Sequence, residues 1–331
     1  MNSLTKLHLK NCQEYNTLMQ KLEKIKDKYQ SLPDVPFIPV RLFKHAELLS
    51  VQKSDIIKTM TSSGTSGQNV SKIFLDKETS QLQVRVLSKI MSDFIGKKRL
   101  PMLIIDTKSI ISNRLKFSAR TAGVLGFSMF GQEVVFALED DMTFNFQRVK
   151  DFLDKYKAEN ILIFGFTFII WKHFVLELEK LGKKVDLSKA ILLHGGGWKQ
   201  LENQSVDNIE FKKRIFKVSE ISKIHNYYGM VEQTGSIFVE CEHGFFHSPS
   251  FSDLIIRNHK THSPEKNGVE GLIQLLSVIP KSYPGHSILT EDLGTIHGED
   301  DCKCGRMGKY FTVHGRIKSA EIRGCSDTYS S

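Results

Sequence analysis

Hydrophobic positions along this chain follow two periods, and the change between them divides it. Over the first thirty residues Leu4, Leu7, Leu9, Leu18 and Leu22 are interleaved with Lys6, Lys10, Lys21, Lys24 and Lys28, a spacing that predicts an amphipathic helix. Residues 31–39 (SLPDVPFIP) then place three prolines in nine positions. Neither a helix interior nor a central strand accommodates that density, so an extended connector is predicted. Four short runs follow with the length and apolar density of buried strands: 101–106 (PMLIID), 133–138 (EVVFAL), 160–164 (NILIF) and 190–194 (AILLH). Longer segments with helical spacing lie between them, notably 77–95 and 169–181. The alternation predicts a mainly parallel sheet covered by helices.

From about residue 235 the runs shorten and are separated by Gly, Pro, Asn and Ser: SIFVEC, DLIIRN, GLIQLLSV, HSILTED and KYFTVHGR. These predict a smaller β-rich lobe packed on the α/β core. The expected organisation is an N-terminal helix and Pro-rich lead-in over 1–60, an α/β core over 61–240, the β-rich lobe over 241–324 and a loose tail over 325–331.

Composition narrows the class. With 40% apolar and 25% charged residues, the 331-residue chain reads as an ordinary globular protein and not a disordered one. The longest apolar stretch, 161–171, is too short to cross a bilayer and is interrupted by Gly165 and Thr167, so no transmembrane segment is expected. The N-terminal segment lacks the apolar block and cleavage site of a secretory signal. Five cysteines without such a signal point to a reducing compartment, with the cytoplasm the expected location. The net charge of +9 is dispersed, with no run of five lysines and no interleaved aromatics. That argues against nucleic acid and for attraction to an acidic carrier or partner protein.

Several motifs carry chemistry. Thr61-Ser62-Ser63-Gly64-Thr65-Ser66-Gly67, with Lys72 just beyond, lets backbone amides and hydroxyls approach a polyphosphate, although such a run alone serves equally as a polar turn. It lacks the Gly-Lys-Ser/Thr ending of a Walker A loop. The run 191–199 (ILLHGGGWK) reads as a buried strand ending in Gly195, Gly196 and Gly197. The carboxyl end of a parallel strand is where an α/β sheet places its ligand, here an adenine or an acyl chain. In 225–234 (HNYYGMVEQT), Tyr227 or Tyr228 followed by Gly229 offers a stacking face for a purine, and Glu232 offers a carboxylate for Mg²⁺. Asp292, in Thr290-Glu291-Asp292-Leu293-Gly294, could accept from both ribose hydroxyls. Gly315-Arg316-Ile317-Lys318 closes the series. Each of the last three is explained equally by a solvated loop.

Taken in order, these five segments resemble the signature series of the adenylate-forming superfamily, which includes acyl-CoA synthetases, luciferase-like enzymes and acyl-protein synthetases. The Pro-rich lead-in with Phe43-Lys44, the SSGTSG loop, HGGGWK and a chain that stops soon after GRIK narrow the resemblance to the acyl-protein synthetase (LuxE) family. The resemblance implies the large domain of an adenylate-forming enzyme, mainly parallel sheets covered by helices, with a smaller β-rich lobe and without the usual mobile C-terminal domain. It implies that ATP and Mg²⁺ are used, and that Ser62, Ser63, Gly64, Thr65, Ser66 and Gly67 hold the pyrophosphate end. It further places Tyr228 near adenine, Glu232 on Mg²⁺, Asp292 on the ribose and Arg316 on ribose or phosphate. The catalytic lysine of the usual mobile domain would be replaced by Lys72, Lys199 or a partner. Gln68-Asn69-Val70 lacks the proline common after this loop, and Lys318 is followed by Ser-Ala-Glu; both depart from the series.

The tail offers Cys325 beside Arg323, and a neighbouring guanidinium favours the thiolate. In LuxE-type enzymes a cysteine near the C-terminus takes the acyl group, and Cys325 matches it; an idle exposed cysteine is the plain alternative. Cys241 with His243 and His247, then Cys302 and Cys304, give three thiols and one or two imidazoles, enough for a closed structural Zn²⁺ site. Similarity to phenylacetate-CoA-ligase-like enzymes favours His247. The expected activity is that of an acid–thiol ligase forming AMP and pyrophosphate, with a fatty acid as substrate and a reductase or carrier protein as acyl acceptor. Alternatives are an acyl-CoA or amide-forming ligase of the same superfamily, and a non-catalytic nucleotide-binding interaction protein.

Overall fold

The computed structural model describes residues 1–62, 70–112, 119–198 and 205–317. The chain forms two compact units, one built from Met1–Ile90 with the stretch from Gly229 on, the other from Met91–Tyr228. In chain order the first unit contributes strands β1 (Ile38–Pro39), β2 (Ile56–Thr61) and β3 (Lys72–Asp76). The second holds β4 (Leu100–Thr107), β5 (Gly131–Leu138), β6 (Ile161–Phe166), β7 (Ala190–Gly195) and β8 (Lys223–Tyr228). The chain returns to the first with β9 (Phe238–Glu240), β10 (Phe246–His247), β11 (Ser252–Arg257), β12 (Gly271–Ser277), β13 (Ser287–Glu299) and β14 (Lys309–Arg316).

In the second unit the order is β8-β7-β6-β4-β5, all parallel, so the four predicted runs form the sheet and HNYY adds a fifth strand. Burial on both faces explains the unbroken apolar sequences of β4, β6 and β7, while the edge strand β5 is only partly covered over 133–135. Lys77–Ile95 is helical as the spacing predicts. The segment expected as one helix over 169–181 instead runs α over Thr167–Ile170, π over Trp171–Val175 and α over Leu176–Lys180. The wider turn buries Trp171, Phe174 and Val175 together, and the Arg214 guanidinium lies 4.3 Å over the Trp171 ring. The helix Asn208–Ser219 starts where Asp207 accepts from the Glu210 amide at 2.8 Å. It ends where Glu220 turns left-handed at φ 60°.

In the first unit the order is β11-β12-β13-β14-β10-β9, antiparallel throughout, the β-rich set expected beyond residue 235. The proline connector is not simply extended. Leu32–Asp34 makes a 3₁₀ turn capped by Ser31, and Ile38–Pro39 pairs in parallel with Ile288–Leu289. The β13–β14 ribbon carries two bulges. His314 is skipped between the pairs Leu293↔Gly315 and Gly294↔Val313, and His297 between Ile296↔Phe311 and Gly298↔Tyr310.

The single helix expected over the first thirty residues is two, Asn2–Asn11 and Gln13–Lys21. Cys12 breaks them in an extended conformation (φ −119°, ψ 106°), and the Asn16 side chain donates to the Leu9 carbonyl at 2.7 Å, capping the first. The bend lets Thr5, His8, Tyr15 and Met19 all face the interior of this unit. There His8 Nδ1 meets Ser50 Oγ at 2.8 Å, Thr5 Oγ1 meets His286 Nε2 at 3.0 Å, and the two imidazoles stack at 4.8 Å beside Tyr15. Burial pulls His8 down to about 4, offset in part by the Pro280 carbonyl; burial and then His8 hold His286 well below the ordinary range. The unfolded chain therefore takes up these protons first. Stability is expected to be flat above about pH 6.5 and to fall as the pH drops toward about 4. Urea midpoints across that window check it, and His8→Gln should flatten the slope. Among the described residues no helix is long and apolar enough to cross a membrane.

Candidate functional site

Cys241, His247, Cys302 and Cys304, far apart in sequence, present donor atoms that all lie within 4.8 Å of one another. Two turns of the first unit bring them there. In one, Gly244 (φ 83°) lets its amide reach the Cys241 carbonyl at 3.0 Å; in the other, Gly305 (φ 75°) does the same for Cys302 at 2.9 Å. Amides of His243 and Arg306 point at the sulfurs of Cys241 and Cys304, each at 3.4 Å. His247 Nε2 sits 3.3 Å from Cys304 Sγ, its ring stacked on Tyr310. An ion pair from Arg306 to Glu242 (2.7 Å) ties the turns together. Burial pushes Cys241 up to about 11 and raises Cys302. Burial also opposes ionisation of Cys304, but hydrogen bonds from the Arg306 amide and the neighbouring thiols hold it below the ordinary thiol value. Tetrahedral zinc sets its sulfur and nitrogen donors about 3.5–3.8 Å apart, so this cluster fits such an ion with small adjustment. His243 lies outside it.

At the other expected site, β2 and β3 pair as an antiparallel hairpin whose last described rung sets Thr61 opposite Lys72. Ser62 and Ser71 close it: the Ser62 amide donates to the Ser71 carbonyl at 3.1 Å, and the Ser71 amide to Ser62 Oγ at 2.9 Å. Ser63, Gly64, Thr65, Ser66 and Gly67 lie outside the described residues, as do Lys199 and Cys325.

Within the same unit, Asp292 on β13 and Arg316 on β14 are register partners, and Arg316 Nε donates to Asp292 Oδ1 at 3.0 Å. Neighbouring Glu291 pairs with Arg41. Glu232 is 3% exposed in the 3₁₀ turn Val231–Gln233; its carbonyl accepts from the Tyr283 hydroxyl at 2.9 Å, and Gln233 donates to the Gly285 carbonyl at 2.8 Å. This turn is thereby fixed on both sides. Gly229 sits against Ile237, which a Cβ would meet at 3.1 Å.

In the second unit, the carboxyl end of β7 gives the glycine turn. Tyr227 packs on Gly195, where a Cβ would meet its ring at 2.4 Å, lies tilted against Phe127 and stacks with Phe164, so its ring belongs to the packing of this unit; Tyr228 ends β8 half-buried. Gly196 has φ 80°. The Thr167 hydroxyl donates to the Gly195 carbonyl at 3.1 Å, which leaves its oxygen to accept from His194 Nδ1 at 3.0 Å. Burial takes His194 down to about 3, so it stays neutral and pins the turn. Gly195→Ala is expected to cost about 1–3 kcal/mol through overpacking on Tyr227, read as a Tm several degrees lower. Gly197→Ala, whose Cβ meets nothing within 4 Å among the described residues, is expected to leave Tm unchanged.

The sequence reading gave no role to Thr167 or His194, and none to Asp106 and Arg120. The latter form a bidentate buried pair at the carboxyl end of β4, with Arg120 Nε 2.7 Å from Asp106 Oδ2. Asp106 could have been found as the polar residue closing an apolar run. Its partner, fourteen positions on, has no local signal.

Comparison with known proteins follows the same lines. The family model described as "Acyl-protein synthetase, LuxE" matches residues 2–331. A long-chain-fatty-acid–luciferin-component ligase of Vibrio harveyi is 23% identical, over 96% of this chain and 83% of that protein. The Aliivibrio fischeri protein of the same name is 22% identical, over 82% and 72%. Among solved structures, an open conformation of 2-hydroxyisobutyryl-CoA ligase with 2-HIB-AMP and CoA superposes with a TM-score of 0.73 at 14% identity, covering 96% of this chain and 68% of its own. ATP-bound MatB from Rhodopseudomonas palustris gives 0.52 at 14% identity, covering 81% and 49%. The fold is that of adenylate-forming enzymes.

Proposed function

Because the chain belongs to the acyl-protein synthetase (LuxE) family, we propose that it activates a carboxylic acid, most simply a fatty acid, as acyl-AMP and passes the acyl group to a protein thiol. The family match over residues 2–331 carries this reading. It is supported by relatives named as fatty-acid ligases and by the pairing of Asp292 with Arg316.

In the first half-reaction the carboxylate attacks the α-phosphorus of ATP and pyrophosphate leaves. No side-chain nucleophile is needed, so the protein's contribution is orientation and charge neutralisation. The segment Ser62–Gly67 would hold the departing phosphates, with Lys72 at the hairpin base and Lys199 as candidate cations. Asp292 would accept from the ribose hydroxyls while Arg316 holds that carboxylate in place. The Gly195–Gly197 turn and Tyr228 would offer flat surfaces to the base. Glu232 is the candidate holder of Mg²⁺, which supplies positive charge to the phosphates. In the second half a thiolate attacks the acyl carbon and AMP leaves; Cys325 is the proposed first acceptor. The Cys241–His247–Cys302–Cys304 cluster would hold structural zinc, since four protein donors leave no open position for chemistry. The setting proposed is cytoplasmic.

Incubation with MgATP and a panel of radiolabelled acids, followed by denaturing gels of wild type and Cys325→Ser, tests the scheme. Hydroxylamine-labile label on wild type alone is expected. Label absent from both proteins while AMP accumulates on adding CoA would make this a small-molecule ligase and overturn the role of Cys325. Failure to form acyl-AMP from any acid would leave a non-catalytic nucleotide-binding protein.

A further inference from the structure

We propose that the outward face of the helix Asn208–Ser219 is the docking surface for a small acidic carrier protein whose thiol receives the acyl group. This rests on the acyl-transfer reading and adds to it the partner and its place on the second unit.

The helix buries Phe211, Ile215 and Val218. A surface helix should be polar on the opposite side, yet Ile209 is 80% exposed and Phe216 54%. They lie seven residues apart, two turns or about 10 Å along the axis, on one stripe with Lys213 between them and Lys217 beside Phe216. The Lys213 side chain is 77% exposed, with Glu210 3.7 Å away. The helix end gathers more positive charge. Val185 donates to the Val218 carbonyl at 3.0 Å and Leu187 to that of Ser219 at 2.9 Å, which lays exposed Lys183 and Lys184 alongside. Across 180–189 and 208–223 the chain has nine lysines or arginines against three carboxylates.

Charge complementarity calls for an acidic partner. The scale calls for a small, transient one: two apolar anchors on a single helix suit an interface at the low end of the size range, whereas permanent subunits bury far larger apolar faces. A membrane fits less well, because the broad apolar face that would enter lipid is already buried in the core of this unit. Among the described residues the helix is also the next element after β7, with Ile209 twelve positions beyond Gly197 in sequence. In the transfer, which follows acylation of the first acceptor, Cys325, the carrier thiol loses its proton to solvent and its sulfur attacks the acyl carbon of that thioester. The new C–S bond forms as the old one breaks, and the Cys325 sulfur leaves with the electron pair and regains a proton from solvent.

The test titrates wild type with phosphopantetheinylated acyl carrier protein at low and high ionic strength, beside the pairs Ile209→Ser with Phe216→Ser and Lys213→Glu with Lys217→Glu. Salt-sensitive binding to wild type is expected, with Kd raised about tenfold or more in each pair, while acid-dependent ATP–pyrophosphate exchange stays at the wild-type level. Carrier binding equal in all three proteins, or absent from wild type, overturns the proposal. So does binding to phosphatidylglycerol vesicles, but not to the carrier, that depends on Phe216. If wild type shows no exchange with any acid but binds the carrier through these residues, the docking surface stands and the adenylation reading falls.

Discussion

Cys304→Ser is expected to abolish stoichiometric zinc binding and to lower Tm by about 10 °C or more, a larger loss than any apolar truncation nearby would cause. Structural zinc contributes on the order of 10–16 kcal/mol to the folding of small metal-bound domains. Losing even a third of that in a domain of this size moves Tm by roughly 2–4 °C per kcal/mol. The expectation follows from the setting: Cys241, His247 and Cys302 are all buried, with no carboxylate among the four donors. Colorimetric metal release and differential scanning calorimetry on the same samples read both effects. His243→Ala is the control, since His243 stands outside the cluster and should leave zinc content unchanged. A wild-type protein purified without metal, whose Tm is indifferent to a strong chelator, would remove zinc from the account.

Asp292→Asn is expected to reduce acid-dependent ATP–pyrophosphate exchange by at least 100-fold while changing Tm little. The Asp292 side chain is 13% exposed and pre-aimed by Arg316, so two ribose hydroxyls would find a fixed bidentate acceptor. A hydrogen bond to a charged partner contributes about 1.5–3 kcal/mol, and two lost together amount to roughly 100-fold or more in rate. The amide keeps the shape but loses the charge and turns one acceptor into a donor. Arg316→Lys should fall between wild type and Asp292→Asn, because it keeps a cation but not the guanidinium fork. Wild-type exchange in Asp292→Asn would take Asp292 out of the nucleotide site.

The parallel strands of the second unit could be read from sequence because burial on both faces leaves an apolar run that nothing else explains. The long helix Lys77–Ile95 was readable because its period is strict. The break at Cys12 was not. It arises from tertiary docking of Thr5, His8, Tyr15 and Met19 on one interior, which overrides local propensity. The π segment at Trp171 is hidden for the same reason. Strand β8 escaped because HNYY looks like a motif before it looks like a strand. At the sites, three cysteines and two histidines could be nominated from residue type, the resemblance favoured His247 over His243, and the fold brings Cys241, His247, Cys302 and Cys304 together. The Asp292–Arg316 pair could be named as two separate motifs, but their adjacency depends on strand register. Thr167 and His194 needed three dimensions, since a hydroxyl that orders a glycine turn from the start of a helix 28 positions earlier leaves no pattern along the chain.

The two bulges in the β13–β14 ribbon act as a counting device. Each shifts the pairing by one residue, and they shift it in opposite senses, so Glu299↔Lys309 near the cysteine turns and Asp292↔Arg316 at the far end share one register. Deleting His314 alone, or His297 alone, would break that parity: with the cysteine turns holding one end of the count, Arg316 would be carried off its rung and the alternation of faces inverted beyond the missing bulge. Insertions and deletions in this ribbon should therefore persist through descent only in compensating pairs, and the cysteine turns, at the opposite end of the ribbon from Asp292 and Arg316, would constrain where those two residues can drift.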